Sequence, residues 1–289
     1  MIYDCVVIGS GVAGLTAALY LGRANKKVLV IENSTIGGTT AELDIIENFP
    51  SISKISGKEL ISNFAMQVLN LGINIDMCDI KHLDFDNKHL IVNNNKIEYR
   101  TLIIASGMSV NKLNLDNEDK FKLKGLSYCA ICDGALYKNK KIAIVTKGNI
   151  GMSSYQYLSG ITKDIMVIDM LDKFKYKNEN YYSNCNVRNL LGDHCISGIE
   201  FESNGNNYIL DCDAIFVSLG KSTDLSLYID RIDTEDGYIL SDENMKTNVD
   251  GVFVAGDIRK KSLKQIITAC SDGAIAANEV IKYLTKYKF

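Results

Sequence analysis

The chain holds a single proline in 289 residues, so no proline-rich spacer divides it. No apolar run approaches the roughly 20 residues that span a bilayer, and membrane partners are not expected. Residues Ile2 to Leu21 have some signal-peptide character, but Asp4 stands where a basic flank belongs and glycines interrupt the run. The formal net charge is only −3, which gives no case for wholesale nucleic-acid binding. Histidine is scarce: His82, His89 and His194 all stand in polar segments with no motif around them. The eight cysteines are scattered apart from one close pair. That is not a secreted disulfide framework, and a reducing cytoplasm is the expected compartment. A zinc site would need a second pair at comparable spacing. Cys185 and Cys195 lie ten apart, and no metal is expected.

What is present is a dinucleotide fingerprint in context. Tyr3 to Ile8 reads as a buried parallel strand, Gly9-Ser10-Gly11-Val12-Ala13-Gly14 follows, and Leu15 to Ala24 is helical. Val28 to Ile31 is a second strand that ends at Glu32. In a G-x-G-x-x-G loop the first glycine makes the tight turn and the second lets a pyrophosphate reach the backbone. The third lets helix and sheet pack closely, and the helix N-terminus offers its N–H groups to phosphate. Glu32 is placed to accept a hydrogen bond from a ribose.

A second unit of the same plan begins near Lys140. Ile142 to Val145 is its first strand, then come Thr146-Lys147-Gly148-Asn149-Ile150-Gly151, a helix through Leu158, and a strand over Ile165 to Ile168. The tail returns to a strand, Gly251 to Ala255, followed by Gly256-Asp257 and a helix from about Ala269 to Tyr287. The expected fold is α/β with two Rossmann-like domains of the three-layer FAD/NAD(P)-binding type, the second inserted into the first. Polar stretches place the parts at 1–115, 116–240 and 241–289.

Between the two nucleotide-type units lies Cys129-Ala130-Ile131-Cys132-Asp133-Gly134. Such a pair can close a small disulfide ring, and the neighbouring thiol lowers the pKa of the attacking one. A dithiol beside a two-electron cofactor points to disulfide chemistry. One thiol attacks an external disulfide through a mixed disulfide, and Asp133 is placed to supply or collect the proton.

The ordered series is completed by Gly37-Gly38, Glu47-Asn48-Phe49-Pro50, Ile103-Ile104-Ala105-Ser106-Gly107, Val254-Ala255-Gly256-Asp257, Lys264-Gln265-Ile266 and Asp272-Gly273-Ala274. With these motifs the chain resembles the bacterial low-molecular-weight thioredoxin reductases over essentially its full length. The resemblance implies FAD in the outer domain, with its diphosphate on Gly9, Gly11, Val12, Ala13 and Gly14 and its adenosine ribose on Glu32. It implies Gly37, Gly38, Thr39, Asn48, Ala105 and Gly107 on the flavin side. Gly256 and Asp257 would meet the ribityl or diphosphate region, and Lys264, Gln265 and Ile266 the pyrimidine end. Thr39 and Lys264 stand where the family commonly carries Gln and Arg. The same resemblance makes Cys132 the flavin-facing sulfur, Cys129 the interchange thiol, a thioredoxin-like protein the substrate and a homodimer the assembly. A disulfide buried against flavin cannot also meet a protein substrate, so the domains are expected to swivel or the motif to move.

The inserted domain departs from the family. Thr146 replaces the first loop glycine, and Ile168-Asp169-Met170-Leu171-Asp172 stands where a His-Arg-Arg cluster pairs with the 2′-phosphate of NADPH. Two acids and no arginine oppose that phosphate; each lost charge-assisted bond is worth about 1.5–3 kcal/mol. NADPH is not the expected donor, while Asp169 leaves room for the 2′-hydroxyl of NADH. The chain resembles in this respect the pyridine-nucleotide-independent, ferredoxin-dependent flavin thioredoxin reductases. An acidic ferredoxin would need a basic patch; Arg259, Lys260, Lys261 and Lys264 form one candidate, Lys26-Lys27 another. A second flavin stacked among Tyr155, Tyr157, Tyr176, Tyr181 and Tyr182 stays open, as do NAD(P)H-dependent reductase activity and a non-catalytic redox sensor.

Overall fold

The computed structural model describes every residue except Met1, Asp44, Leu123, Asn178, Lys288 and Phe289, together with the side chain of Cys132. The chain forms two compact units, residues 1–109 with 223–289, and residues 110–222. The second is inserted into the first.

The first unit is built on Ile2–Ile8 (β1), Val28–Glu32 (β2), Asn74–Met77 (β3), Ile80–Asp84 (β4), His89–Val92 (β5) and Asn95–Ile104 (β6). These strands form one sheet in the order β3-β2-β1-β6-β5-β4, and the strand Val252–Val254 also pairs with β6. The β1, β2, β3 and Val252–Val254 pairings are parallel, whereas β4 and β5 are antiparallel. Side chains alternate across a strand, and both faces of this sheet are covered. Cys5 and Val7 enter one core with Leu15 and Leu21 of helix Val12–Arg23 (α1) and with Val280 of the C-terminal helix Ile266–Lys286. Val6 and Ile8 enter the other with Leu90, Tyr228 and Ile232. That double burial explains the uninterrupted apolar runs of β1 and β2. Small residues let the two helices approach closely, since a Cβ on Gly273 would fall 2.2 Å from the Ala13 carbonyl oxygen.

Ile8 lies opposite both Ile31 and Ile104, and Ile104 lies opposite Val254. The loops after β1, β2, β6 and the Val252–Val254 strand therefore leave one carboxyl edge of the sheet, where open α/β sheets bind ligands.

In the second unit, Leu126–Ser127, Ile142–Thr146, Ile165–Asp169, Tyr181–Tyr182 and Ala214–Ser218 make a five-stranded parallel sheet. A separate antiparallel sheet holds Cys185–Leu191, Gly198–Ser203 and Asn206–Asp211. Thr146 ends level with Asp169 and Ser218.

The units divide after Ser109 and Ser222, where the polar stretches had suggested 115 and 240. Residues 223–240 fall in the first unit because Tyr228, Ile232 and Ile239 are buried in its core. The last helix starts at Ile266, three residues earlier than its apolar pattern suggested, because Thr268 Oγ1 accepts the Gln265 amide at 3.1 Å and closes the first turn. Among the described residues no helix is long and apolar enough to cross a membrane.

Candidate active site

The loop after β1 is shaped by what its glycines exclude. Gly9 has φ +102°, and a Cβ on Gly14 would lie 2.0 Å from the Gly9 carbonyl oxygen. Gly11, between them, faces open space, with nothing within 4 Å of a built Cβ. Gly11 is also the N-cap of α1, with no side-chain cap and no acid in the first turn. The opening amides at Val12, Ala13 and Gly14 thus meet an open, electropositive approach suited to a diphosphate. Glu32 is buried; one oxygen accepts Ser10 N and Ser10 Oγ at 2.9 and 2.8 Å, the other Ser34 N at 2.9 Å. A carboxylate has about four lone-pair positions, so one remains for a ribose hydroxyl.

Residues far apart in sequence complete this edge. Gly37 N donates to the Ser10 carbonyl at 3.0 Å, and Gly38 and Gly107 each face open space. Asn48 Nδ2 donates to Gln265 Oε1 at 3.0 Å, next to the start of the last helix at Ile266. Thr39 is half-buried and Ala105 buried. Asp257 Oδ1 is buried without a hydrogen-bond partner, Lys261 Nζ standing 3.5 Å away. Lys264 Nζ donates to the Asp257 carbonyl at 2.6 Å and sits 3.6 Å from the Tyr238 ring centroid. Burial pushes its pKa down, with Lys261 and Arg259 adding to the effect and Asp257 opposing it. Behind them Asp272 Oδ2 accepts Gly256 N at 3.1 Å and Lys261 Nζ at 2.9 Å. An uncapped helix start over open space and a buried carboxylate oxygen with no hydrogen-bond partner fit the diphosphate and the polyol of FAD. Ser10 and Asp272 lie inside quoted motifs without having been singled out from the sequence, and Lys261 was read there only as part of a basic patch.

The basic cluster anticipated at 259–264 is not a free patch. Lys260 pairs with Glu235 and Asp236 at 2.6 and 3.0 Å, Lys261 with Asp272, and Arg259 with Asp272 at 3.8 Å. The acids arrive from other elements, so a run of like charge in sequence becomes a set of internal pairs in space.

The dithiol motif lies in the second unit. Cys129 is disulfide-bonded; Ala130–Asp133 forms a short helix, and the Cys132 side chain lies outside the described residues. Ser127 Oγ donates to Asp133 Oδ2 at 2.6 Å and accepts the Cys129 amide at 3.0 Å. Tyr128 OH donates to Glu118, a buried acid that also accepts the amides of Leu113 and Asn114. The cysteines outside the motif are free thiols. Burial pushes Cys5 and Cys212 up to about 12 and Cys185 up to about 11, so these are inert at neutral pH. Cys78 and Cys270 are only partly buried.

The second nucleotide-type loop is filled by its own chain. Thr146 stands at the position of Gly9; its Oγ1 accepts Gly151 N at 2.8 Å and donates to the Gly148 carbonyl at 3.0 Å. The loop tightens into a 3-10 turn over Gly148–Gly151, ahead of the helix Met152–Ser159. Gly148 corresponds to Gly11, yet a Cβ on it would lie 2.9 Å from Lys173 Cβ. Asp169, fully buried, accepts Gly148 N at 2.6 Å, Leu171 N at 3.0 Å, Lys173 N at 2.7 Å, Phe174 N at 2.9 Å and Tyr181 OH at 3.0 Å. Burial alone would raise its pKa, but the bonds from Gly148, Leu171, Lys173 and Tyr181 hold it below the usual carboxylate range. Five donors exhaust the carboxylate, so the sequence-based expectation that Asp169 could take a 2′-hydroxyl is corrected. Four of the five tyrosines considered for a second flavin pack on other rings, while Tyr157 is exposed and donates to the Ile131 carbonyl at 3.3 Å. Tyr155 stacks on Tyr176 at 5.9 Å and Tyr181 on Phe174 at 6.4 Å, while Tyr182 edges onto Phe201 and Tyr208 at 5.1 Å each.

Comparison with known proteins agrees with this arrangement. Residues 3–273 match the family described as pyridine nucleotide-disulphide oxidoreductase. The "34.2 kDa protein in rubredoxin operon" of Clostridium pasteurianum is 35% identical, covering 97% of both chains. The thioredoxin reductase of Ureaplasma parvum is also 35% identical, over 99% of this chain and 98% of its own. Among solved structures, Lactococcus lactis thioredoxin reductase superposes with TM-score 0.77 at 30% identity, covering 98% of this chain and 99% of that one. A ferredoxin-flavin thioredoxin reductase from Clostridium acetobutylicum gives 0.59, also at 30% identity, over 100% and 99%. With its FAD-type cradle and disulfide-bonded Cys129, the chain belongs to the pyridine nucleotide-disulphide oxidoreductase family, as a flavin-dependent disulfide oxidoreductase of thioredoxin-reductase type.

Proposed function

We propose that this protein reduces a thioredoxin-like partner through a Cys129–Cys132 disulfide, and that its electrons come from a ferredoxin-type carrier instead of NAD(P)H. The observation that carries the choice of donor is the self-filled loop of the second unit. Lys173 occupies the space beside Gly148, and the Asp169 carboxylate already holds five donors. The acid side chains Asp169 and Asp172 add repulsion toward a nucleotide phosphate. The likeness to the ferredoxin-flavin thioredoxin reductase of Clostridium acetobutylicum supports the same donor class.

Bound FAD would supply the link between a one-electron donor and a two-electron acceptor. Gly9, Gly11, Val12, Ala13 and Gly14 would hold its diphosphate, Glu32 its adenosine ribose, and Asp257 a hydroxyl of its polyol chain. Gly37, Gly38, Thr39, Asn48, Ala105, Gly107, Gly256, Lys264, Gln265 and Ile266 would line the remainder. The dithiol then works by exchange. Cys129 gives its proton to Asp133, and its sulfur attacks one sulfur of the partner disulfide, whose other sulfur leaves as thiolate. Cys132 attacks the resulting mixed disulfide, the Cys129–Cys132 bond re-forms, and the partner departs with two more electrons and two protons. A homodimer in a reducing cytoplasm completes this reading, on the family resemblance and the free thiols outside the motif.

The test is anaerobic titration of the purified flavoprotein with NADPH, NADH and reduced ferredoxin, followed by flavin bleaching. Bleaching by ferredoxin, with many equivalents of thioredoxin reduced per protein, is the expected result. Rapid bleaching by NADPH or NADH refutes the donor, and a single equivalent of thiol per protein refutes catalysis.

A further inference from the structure

We propose that Ser127 is a positioning residue for the proton step of the dithiol, acting through Asp133. This rests on the preceding reading that Asp133 exchanges a proton with Cys129.

Ser127 ends the short strand Leu126–Ser127, opposite Phe216, and is buried. A buried hydroxyl is costly unless its donor and acceptor capacities are both used. Its single proton has two acceptors within reach, Asp133 Oδ2 at 2.6 Å and the Cys129 carbonyl at 3.2 Å. The shorter contact, to a charged oxygen, takes it. Its lone pair accepts the Cys129 amide at 3.0 Å. One oxygen atom thus fixes the Asp133 carboxylate and the Cys129 backbone at the same point. The turn closes further where the Asp133 amide donates to the Cys129 carbonyl at 3.2 Å. A general base depends on orientation as much as on basicity, and small displacements of a reacting group cost one to two powers of ten in rate. Without Ser127, Asp133 would be free to turn toward solvent, and the thiol would lose its acceptor.

The step at issue balances within the protein and its target. The Cys129 S–H bond breaks and the proton passes to the Asp133 carboxylate. The sulfur bonds to one sulfur of an external disulfide as that S–S bond breaks and its other sulfur leaves as thiolate. Cys132, giving its proton to solvent, then attacks the Cys129 sulfur and expels the second thiolate, so the dithiol loses two electrons and the external disulfide gains them.

The experiment uses the holoprotein with its flavin oxidised and its dithiol reduced beforehand by a small dithiol that is then removed, and a chromogenic aromatic disulfide as acceptor, so that the flavin is a spectator. Ser127→Ala, Ser127→Thr, Asp133→Asn and the Ser127→Ala/Asp133→Asn pair are compared by the rate of the fast two-thiol phase. Far-UV circular dichroism and flavin content verify folding. Ser127→Ala is expected to slow this phase on the order of ten-fold, and Ser127→Thr, which keeps the hydroxyl, to restore it within about two-fold. In the Asp133→Asn background, adding Ser127→Ala is expected to change the rate by less than about two-fold, because the residue it acts through is gone. Equal slowing in both backgrounds, or failure of threonine to rescue, overturns the role assigned to Ser127 while leaving that of Asp133 intact. An Asp133→Asn protein as fast as the parent overturns both.

Discussion

Thr146 Oγ1 accepts the amide of Gly151 at 2.8 Å, so a side chain of the second loop binds the loop's own backbone. In the first unit the matching residue is Gly9, which has no side chain to do this. The same strand–turn–helix plan therefore yields one open cradle and one closed turn within a single chain.

Thr146→Gly tests whether that side chain alone closes the loop. The substitution removes two hydrogen bonds, to Gly151 N and the Gly148 carbonyl, and should cost roughly 1–3 kcal/mol in stability. NADPH should still fail to bleach the flavin, because Lys173 remains against Gly148. Thermal unfolding and anaerobic absorbance at the flavin band measure the two outcomes.

Asp169 should make the second unit acid-sensitive. Its folded pKa is depressed by the hydrogen bonds from Gly148, Leu171, Lys173 and Tyr181, so its contribution is complete above the unfolded value of about 3.9 and is lost as pH falls through the lower folded value. Asp169→Asn should cost about 2–3 kcal/mol near neutrality, since an amide offers one acceptor oxygen to donors that now share two. Below about pH 4 the gap between parent and variant should narrow. Urea unfolding across pH 3 to 7 checks the sign; a gap that widens on acidification contradicts it.

Gly11 and Gly14 should separate cofactor binding from folding. Gly11 has an ordinary negative φ of −67° and open space around its built Cβ, so Gly11→Val should fold with nearly parental stability yet lose bound flavin. Gly14→Ala would place a methyl 2.0 Å from the Gly9 carbonyl oxygen, an overlap that should cost about 1–3 kcal/mol or more. Flavin absorbance per protein, beside the melting temperature, distinguishes the two effects.

Local signals carried the fold a long way. The glycine spacing, the apolar strands and the acid at the end of β2 were legible because each acts within one strand–turn–helix unit. The double role of Ser127 was not, since a serine two residues before a cysteine gives no sign of a bond to Asp133 six residues on. Asp169 was misjudged for a related reason. Its position at a strand end suggested a ribose partner, but four of its five donors come from residues 171–181, whose return over the loop no local pattern announces. Lys260 and Lys261 seemed a surface patch because Glu235, Asp236 and Asp272 lie far away in sequence. Long-range packing also explains why residues 223–240 anchor in the first unit, through Tyr228 and Ile232.

The segment Lys173–Phe174, bound by two amides to Asp169 and seated against Gly148, has a thermodynamic consequence of its own. A tethered occupant competes at an effective concentration on the order of millimolar or above, and it is never diluted, exported or consumed. Under the donor proposed above, a free nucleotide would first have to displace this segment, and a rise or fall in the cell's nicotinamide pools is expected to leave the lobe closed.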